Sequence, residues 1–520
     1  MKKIILLFVC ASFILLSRAQ KPNILFCLAD DAGFQQFGAY GSKWVKTPVF
    51  DRIAKEGLLF KNAYTPNAKC GPSRASILTG RNSWQIEELG NHLAYWPKKY
   101  ISFVEVLAKD GYAVGYTGKG WAPGDPGKVN GKPRELTGKP YLNVGLKAPT
   151  TGISNLDYDG NFKEFLDKKP QEQPFFFWFG SLEPHRAYEY ESGAKKGGLK
   201  TSSIDDLPAF WPDNDSVRND MLDYGYEIQY FDKQVGRMLK TLEEKGLLEN
   251  TIIIVTSDNG MPFPRVKGQE YELSNHLPLA IMWKNGIKFP GREIKDYISF
   301  IDFAPTIFKA AGLRSSEIKM PKLQGKPLQN IFNSSQSKHL IDSSRDFILI
   351  GQERHDVGRP YDVGYPIRGI VKNGFLYLKN FQPDRWPVGN PETGYLNTDG
   401  GPTKTAILKL NRQEHGTNKY WAWSFGKRPS EELYHIAKDP LCLNNLATSP
   451  RFIKQREGLK SQMFEELTRQ SDPRMLGNGS IFDKYSPYMY KGFYERFMKG
   501  ERPELFWVEP TDFEKQWPIQ

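Results

Sequence analysis

Two continuous apolar runs in this chain each end in acidic or amide side chains. The runs are PNILFCLADD at 22–31 and TIIIVTSDNG at 251–260, and a third run, PFFFWFG, covers 174–180. Uninterrupted apolar runs of this length are typical of strands that are buried on both faces of a sheet. The pattern therefore predicts an α/β fold with these three strands buried in its sheet.

Helical periodicity separates and follows these strands. The amphipathic segments that we predict to be helices are 47–61, 102–109, 221–245 and 452–469. A further predicted strand, 111–119, ends in Lys119, and the Gly-, Pro- and Lys-rich stretch 122–160 is predicted to be a long loop.

The chain is predicted to consist of a leader and two domains. Residues 1–19 have a basic start, an apolar segment and small residues at the end, which are the features of a cleaved secretory signal. We expect export to the periplasm or the medium, since a lipoprotein anchor through Cys10 would leave too short an apolar segment. No second long apolar run follows, so stable membrane insertion is not expected. A large α/β domain is predicted at 20–370, and a smaller α+β domain with an antiparallel sheet and an aromatic-rich tail at 371–520.

The composition favours an exported protein with an acidic partner. The 71 Lys and Arg outnumber the 59 Asp and Glu, and the formal charge is +12. These basic residues are dispersed, so no nucleic-acid-binding arm is indicated, and a sulfated or uronic polysaccharide is the expected partner. Without Cys10 only three of the four cysteines remain, which excludes a disulfide scaffold.

Two of the predicted strands deliver oxygen ligands at their carboxyl ends. Asp30 and Asp31 end the first strand, and Asp258 and Asn259 end the second. Sites in open α/β sheets lie beyond the carboxyl ends of strands, and such oxygen ligands suit calcium or magnesium better than zinc. The alternative is that these residues are ordinary turn formers.

A cysteine lies beside a predicted helix N-terminus in the stretch AKCGPSRASILTGR at 68–81. Pro72 fits the first turn of a helix, where free N–H groups favour an anion, so Cys70 is suitably placed for a nucleophile that meets a charged substrate. The alternative is a buried cysteine before an ordinary helix. The string C-x-P-S-R followed by T-G-R resembles the signature of the type I sulfatases. The resemblance implies an alkaline-phosphatase-like fold and conversion of Cys70 to formylglycine (3-oxoalanine) by a formylglycine-generating enzyme. It also implies that Cys70, Asp30, Asp31, Asp258 and Asn259 hold one calcium ion, and that Arg74 is catalytic.

Three further catalytic residues follow from the resemblance. Lys119 ends a T-G-K string and Lys267 opens K-G-Q-E-Y-E, and both correspond to lysines that contact the sulfate. His185, in P-H-R, follows a buried strand and corresponds to the histidine that protonates the leaving group, although an ordinary surface histidine is the alternative. The chain departs from the family pattern at one position. The family usually has a histidine two residues beyond the lysine that corresponds to Lys119, and this chain has Trp121 there.

The resemblance covers 22–312 in one collinear order and is greatest to the heparan N-sulfatase branch. The loop 353–368 is expected to reach the sugar, and Arg354, His355 and Arg359 are the predicted substrate contacts, with an ordinary polar loop as the alternative.

The implied function is an exported carbohydrate sulfatase that acts on a sulfated polysaccharide or its oligosaccharides. The alternatives are an N-sulfoglucosamine sulfohydrolase proper, a phosphate-ester hydrolase and a non-catalytic sugar-binding relative.

Overall fold

The computed structural model describes residues 20–205 and 207–515. The predicted signal sequence at 1–19 and Cys10 therefore lie outside the described residues. Among the described helices, none combines the length and the hydrophobicity needed to cross a membrane.

Strands account for one large sheet, one smaller sheet and two short pairs. The described strands are β1 Asn23–Ala29, β2 Leu58–Tyr64, β3 Ala94–Tyr95, β4 Ala113–Gly118, β5 Gly124–Asp125, β6 Lys128–Val129, β7 Lys132–Pro133, β8 Lys139–Pro140, β9 Phe175–Gly180, β10 Thr251–Ser257, β11 Leu279–Met282, β12 Arg292–Ser299, β13 Phe347–Gln352, β14 Ile367–Lys372, β15 Phe375–Asn380 and β16 Glu431–Tyr434. The large sheet has eight strands in the order β12-β2-β11-β10-β1-β9-β4-β8. It is mixed, because β11 runs antiparallel to both of its neighbours.

Helices cover both faces of the large sheet. The described helices are α1 Pro48–Glu56, α2 Cys70–Thr79, α3 Phe103–Lys109, α4 Tyr158–Lys168, α5 Ser192–Lys195, α6 Asp215–Glu244, α7 Glu272–Asn275, α8 Phe303–Ala310, α9 Gln329–Asn333, α10 Pro402–Gln413, α11 Lys419–Phe425, α12 Ile453–Arg469, α13 Ile481–Lys484 and α14 Phe493–Met498. Alternate residues of β1 enter two cores, one shared with α1, α4 and α6 and the other with α2, α3 and α8. Because both faces of β1 are buried, its sequence is continuously apolar.

The three apolar runs form β1, β9 and β10, which confirms the predicted sheet. The three strands are parallel neighbours, with Leu28 beside Gly180 and Ala29 beside Ser257. One predicted helix is partly wrong: the segment 47–61 is helical only as far as Glu56. Its last residues instead form β2, because pairing with β11 and β12 satisfies their backbone groups and buries their side chains. The predicted loop 122–160 is mostly irregular but ends in the start of α4.

The smaller sheet is antiparallel, in the order β13-β14-β15-β16. Together with the large sheet and its helices, it confirms the predicted fold class. The sheet begins at Phe347, and the predicted domain division at 370/371 falls inside β14. That division stays a prediction.

Candidate active site

Four parallel strands bring six of the predicted site residues to one edge of the large sheet. The strands β1, β4, β9 and β10 end side by side, with Gly118 of β4 beside Gly180 of β9. The residues that follow these ends are Asp30, Asp31, Lys119, His185, Asp258 and Asn259. Parallel pairing in register is therefore what assembles the site.

Three buried carboxylates form the centre of this edge. Ligand oxygens of Asp30, Asp31 and Asp258 all lie within 4.8 Å of one another. The Asp31 amide N–H donates to Asp258 Oδ1 at 3.1 Å, and Asn259 Nδ2 donates to Asp31 Oδ1 at 2.6 Å. Asp31 adopts a left-handed backbone conformation with φ 72°, which turns the chain sharply after β1. The four predicted oxygen ligands are thus brought together.

Two cations bracket the carboxylates. Arg74 Nε lies 2.7 Å from Asp258 Oδ2, and its Nη1 donates to the carbonyl oxygens of Lys119 and Gly120 at 2.7 and 2.9 Å. Lys119 Nζ lies 2.6 Å from Asp30 Oδ2. Burial alone would raise the pKa of Asp30, but Lys119 and Arg74 hold that pKa below its usual range.

Two oxygens of this cluster have no hydrogen-bond partner. Within the part of the chain that the structure describes, Asp30 Oδ1 and Asn259 Oδ1 are buried and accept no hydrogen bond, and Arg74 Nη2 lies 3.5 Å from Asp30 Oδ1. Burial, reinforced by the Asp30 carboxylate, raises the pKa of Asp258 well above its usual value. Buried acceptors of this kind require a donor or a cation, and carboxylate and amide oxygens suit a hard divalent cation. The residues therefore fit a calcium ion.

Cys70 is the first residue of α2, and its thiol contacts a histidine that sequence analysis did not identify. Cys70 Sγ lies 3.3 Å from His92 Nε2, and His92 Nδ1 lies 3.0 Å from Asp356 Oδ1. Asp356 in turn pairs with Lys69 Nζ at 2.7 Å, and all four side chains are buried. His92 lies in an irregular segment outside the motifs, so only its position in the fold reveals it, whereas Asp356 lies in the loop 353–368, from which sequence analysis selects Arg354, His355 and Arg359 instead.

Trp121 does not reach the Cys70 thiol. Its indole Nε1 donates to the Gly71 carbonyl oxygen at 3.0 Å, and its ring packs edge-on against Trp96 at 5.0 Å. The tryptophan thus supports the first turn of α2, while His92 occupies the position next to residue 70.

A second charged group lies beside the carboxylates. Lys267 Nζ is 2.7 Å from Asp31 Oδ2, 2.5 Å from Asp399 Oδ2 and 3.1 Å from His185 Nε2. His185 Nδ1 lies 2.6 Å from the Arg186 carbonyl oxygen, to which it donates, so Nε2 is the nitrogen that faces Lys267. Burial works to lower the pKa of Lys267, but Asp31 and Asp399 raise it well above its usual value. Asp399 precedes α10 and carries no sequence signal.

A cavity of about 450 Å³ connects these groups to solvent. Among its lining residues are Cys70, Lys119, His185, Lys267 and Asp399. Cys70 is only 3% exposed and lies at the closed end of the cavity. The size is within the range of small-ligand sites, and charged residues are part of the lining.

The three predicted substrate contacts are not among the residues that line this cavity. Arg354 donates to the Tyr485 carbonyl oxygen at 2.6 Å, and Arg359 donates to the Trp386 carbonyl oxygen at 2.7 Å. His355 is fully buried, with Nε2 2.7 Å from Asn67 Oδ1. Each of the three residues is buried and has at least one side-chain nitrogen bound to an internal partner, and the neighbouring Asp356 is the residue of this loop that lines the cavity. We do not propose substrate contacts for these three residues.

The Cys70 thiol is expected to be unusually reactive in protein in which it stays a thiol. Burial works to raise its pKa, but the positive charge of Lys119 and the contact with His92 lower that pKa to about 6. Iodoacetamide should therefore alkylate Cys70 with a rate that rises with pH and reaches half its plateau near pH 6, because the thiolate is the nucleophile. Burial raises the pKa of the other two described cysteines, Cys27 and Cys442, which should stay unmodified. Peptide mass spectrometry measures all three; a Cys70 rate that rises only above pH 8 would contradict this expectation.

Comparison with known proteins agrees with the geometry of the site. The family model described as Sulfatase matches residues 22–313, which include β1 to β12 and the residues at their ends. An ulvan-active sulfatase of Formosa agariphila is 26% identical over 515 residues, covering 89% of this chain and 78% of the relative. The human N-sulphoglucosamine sulphohydrolase is 28% identical over 522 residues, covering 92% of this chain and 97% of the relative.

Solved structures share the same fold. A putative sulfatase from Bacteroides fragilis superposes with a TM-score of 0.64 at 20% identity, covering 90% of this chain and 98% of that one. A protein solved with its substrate D-glucosamine-2-N,6-O-disulfate gives a TM-score of 0.62 at 18% identity, covering 87% and 98%. At these identities the superpositions establish the fold, and the family match establishes the membership: this chain belongs to the sulfatase family and is a sulfuric ester hydrolase.

Proposed function

We propose that this sulfatase removes sulfate from a sulfated polysaccharide or its oligosaccharides, with a formylglycine made from Cys70 and one calcium ion. The observation that carries the proposal is the cavity whose closed end presents Cys70, Lys119, His185 and Lys267 beside the acidic cluster. The relatives named above act on ulvan and on N-sulphoglucosamine, or carry a sulfated glucosamine in the site. Both kinds of carbohydrate agree with the basic composition of the chain.

The calcium ion would be held by the side chains of Asp30, Asp31, Asp258 and Asn259 together with residue 70. In this position it would neutralise negative charge on the sulfate and on the attacking oxygen. Cys70 Sγ marks the place of the formylglycine oxygens, which would supply the nucleophile once the aldehyde is hydrated. Arg74 holds Asp258 in place through its contact at 2.7 Å.

Two lysines would bind the sulfate group. Lys119 and Lys267 both line the cavity, and each is fixed by a carboxylate, Asp30 in one case and Asp31 in the other. Fixed cations stabilise charge that develops on sulfate oxygens without having to reorganise, which is the main electrostatic contribution to this type of catalysis.

His185 would donate a proton to the leaving group. Its Nδ1 is committed to the Arg186 carbonyl oxygen, so Nε2 is the atom that carries a proton towards the sugar oxygen or nitrogen. In this structure Nε2 lies 3.1 Å from Lys267 Nζ and 3.9 Å from Asp399 Oδ2. In this contact Nε2 accepts from the Lys267 ammonium, so the ring would have to take up a proton at Nε2 and release the lysine before it acts as the leaving-group acid.

His92 would accept and return the proton of the residue-70 side chain. Asp356 holds Nδ1, which fixes the ring so that Nε2 meets residue 70 at 3.3 Å. This arrangement explains how the chain can have Trp121 where the family usually has a histidine, two residues beyond the lysine at 119. His92, from another segment, would take the place of that histidine.

Replacing His92 is expected to lower kcat by about 10²–10⁴-fold, the usual contribution of a positioned acid–base group. His92→Gln should leave KM nearly unchanged, because His92 contacts residue 70 and the sugar is bound elsewhere in the cavity. Asp356→Asn should give a smaller loss in kcat. His339→Gln, which changes an exposed histidine that is not among the cavity-lining residues, is the control and should retain activity. Full activity of His92→Gln would exclude this assignment.

The substrate class is tested by sulfate release from a defined panel. The enzyme is produced with a formylglycine-generating enzyme, and ion chromatography measures sulfate from N-sulfated glucosamine, O-sulfated glucosamine, sulfated galactose and ulvan oligosaccharides. Release from one or more members would establish the class, and the member cleaved would decide between N- and O-linked sulfate. Absence of release from every member, with the aldehyde confirmed by mass spectrometry, would refute the proposal.

A further inference from the structure

An aromatic-rich segment near the C-terminus covers one side of the cavity mouth. Its small core buries Phe493 and Phe497 against Leu93 and Leu396. The Tyr488 amide N–H donates to the Leu93 carbonyl oxygen at 2.6 Å. The segment is thus fixed to the loops that carry His92 and Asp399.

Three rings of this segment line the cavity. We call Tyr490, Phe506 and Trp507 the aromatic wall. Trp507 packs edge-on against both partners, with ring centroids 5.5 Å from Tyr490 and 5.1 Å from Phe506. Its indole Nε1 donates to the Leu396 carbonyl oxygen at 3.0 Å, and its own carbonyl oxygen accepts from Gly400 N at 2.7 Å. Trp507 is therefore held in one orientation.

The wall exposes apolar surface that the fold does not need. Phe506 is 84% exposed, and the neighbouring cavity residues Met489 and Leu182 are 40% and 39% exposed. Tyr490 adopts a left-handed backbone conformation with φ 60°, which is unfavourable for a bulky residue and is found where surroundings or function demand it. Contiguous exposed apolar side chains around a cavity mark a binding surface.

The position of the wall identifies its ligand. Cys70 lies at the closed end, so a sugar whose sulfate reaches residue 70 has its ring farther out in the cavity, and the highly exposed Phe506 lies at the rim beyond it. The lysines that bind sulfate are at the closed end, whereas Met489, Phe506 and Leu182 carry no charge. Aromatic faces with apolar neighbours suit the C–H face of a sugar ring better than a second sulfate group.

We propose that the aromatic wall, together with Met489 and Leu182, is a binding subsite for the sugar ring next to the ring that carries the cleaved sulfate. The enzyme consequently prefers oligosaccharides to sulfated monosaccharides. This inference rests on the proposed carbohydrate sulfatase function, and it further specifies that the preferred substrate is at least two sugar rings long.

Binding and turnover are both measured as a function of chain length. Calcium-saturated Cys70→Ala protein is titrated calorimetrically with monosaccharides, disaccharides and tetrasaccharides prepared from heparan sulfate and from ulvan. The same series is tested for kcat/KM with the active enzyme. The variants are Phe506→Ala and the conservative Phe506→Tyr. The control is Phe289→Ala, which removes a ring that is 47% exposed and is not among the cavity-lining residues.

The expected result is a gain of about tenfold in affinity and in kcat/KM from monosaccharide to disaccharide. Phe506→Ala should lose this gain while its monosaccharide values stay the same, and Phe506→Tyr and Phe289→Ala should keep it. Affinity that is independent of length, or a gain that survives in Phe506→Ala, would overturn the subsite. Length-dependent binding without sulfate release would refute the proposed function and leave the subsite in place, whereas no binding of any oligosaccharide would refute both.

Discussion

Cys70→Ala is expected to reduce sulfate release by at least about 10⁴-fold, which is the scale of losses seen when a nucleophile is removed from a cooperating catalytic group. The remaining groups would still bind substrate, so the affinity for a sulfated oligosaccharide should change little. Cys70 lies at the closed end of the cavity, and no other described cysteine lines it. No second thiol can therefore replace it.

Two controls separate loss of the nucleophile from loss of the fold. Cys27→Ala removes a thiol from the buried strand β1 and should retain the activity per folded molecule. The far-ultraviolet circular dichroism spectrum and the unfolding temperature of Cys70→Ala should match those of the parent protein. Sulfate release by Cys70→Ala within tenfold of the parent rate would exclude residue 70 as the source of the nucleophile.

Removal of calcium is expected to abolish activity and to lower stability. Chelation leaves the carboxylates of Asp30, Asp31 and Asp258 close together without the ion that would neutralise them. It also leaves Asp30 Oδ1 and Asn259 Oδ1 without a hydrogen-bond donor or a bound ion. Free calcium at 100 times its Kd should stabilise the folded protein by about 2.7 kcal/mol. Activity assays and thermal unfolding after chelation, and again after addition of calcium, magnesium or zinc, measure both effects.

Asn259 is the predicted ligand with a neutral amide side chain. Replacing it tests the calcium site and leaves the aspartates that pair with Arg74 and Lys119 in place. Asn259→Ala should raise the calcium concentration needed for half-maximal activity by about tenfold or more, because one coordinating oxygen is lost. Asn333→Ala, at an exposed helix end, is the matched control and should behave like the parent. Full activity in the presence of chelator, or restoration by zinc alone, would contradict the predicted calcium site.

The sequence predicts those parts of the site that follow directly from strand ends and short motifs. The continuous apolar runs identify β1, β9 and β10, and parallel pairing then brings Asp30, His185 and Asp258 together. Lys267 lies in a motif, and its position beside Asp31 at 2.7 Å could be anticipated only through the family resemblance. These inferences needed no knowledge of loop conformation.

The residues that sequence analysis missed come from irregular segments. His92, Asp356 and Asp399 are far apart in the chain and have no local pattern, so their convergence depends on how the loops fold over the sheet edge. The same limit explains Arg354 and Arg359, which are predicted to contact the substrate because their loop is expected to reach the sugar, although each guanidinium group donates to an internal carbonyl oxygen. A lone charge in a loop does not reveal whether it faces the ligand or the core.

The central claim is that sulfate release depends on conversion of Cys70 to formylglycine. The most direct test prepares the enzyme with graded amounts of a formylglycine-generating enzyme, measures the converted fraction of residue 70 by mass spectrometry, and measures the sulfate-release rate of each preparation on the substrate that the panel identifies. We predict that the rate is proportional to the converted fraction and that it extrapolates to zero when no residue 70 is converted. A rate that is the same in fully unconverted and fully converted protein would contradict the account.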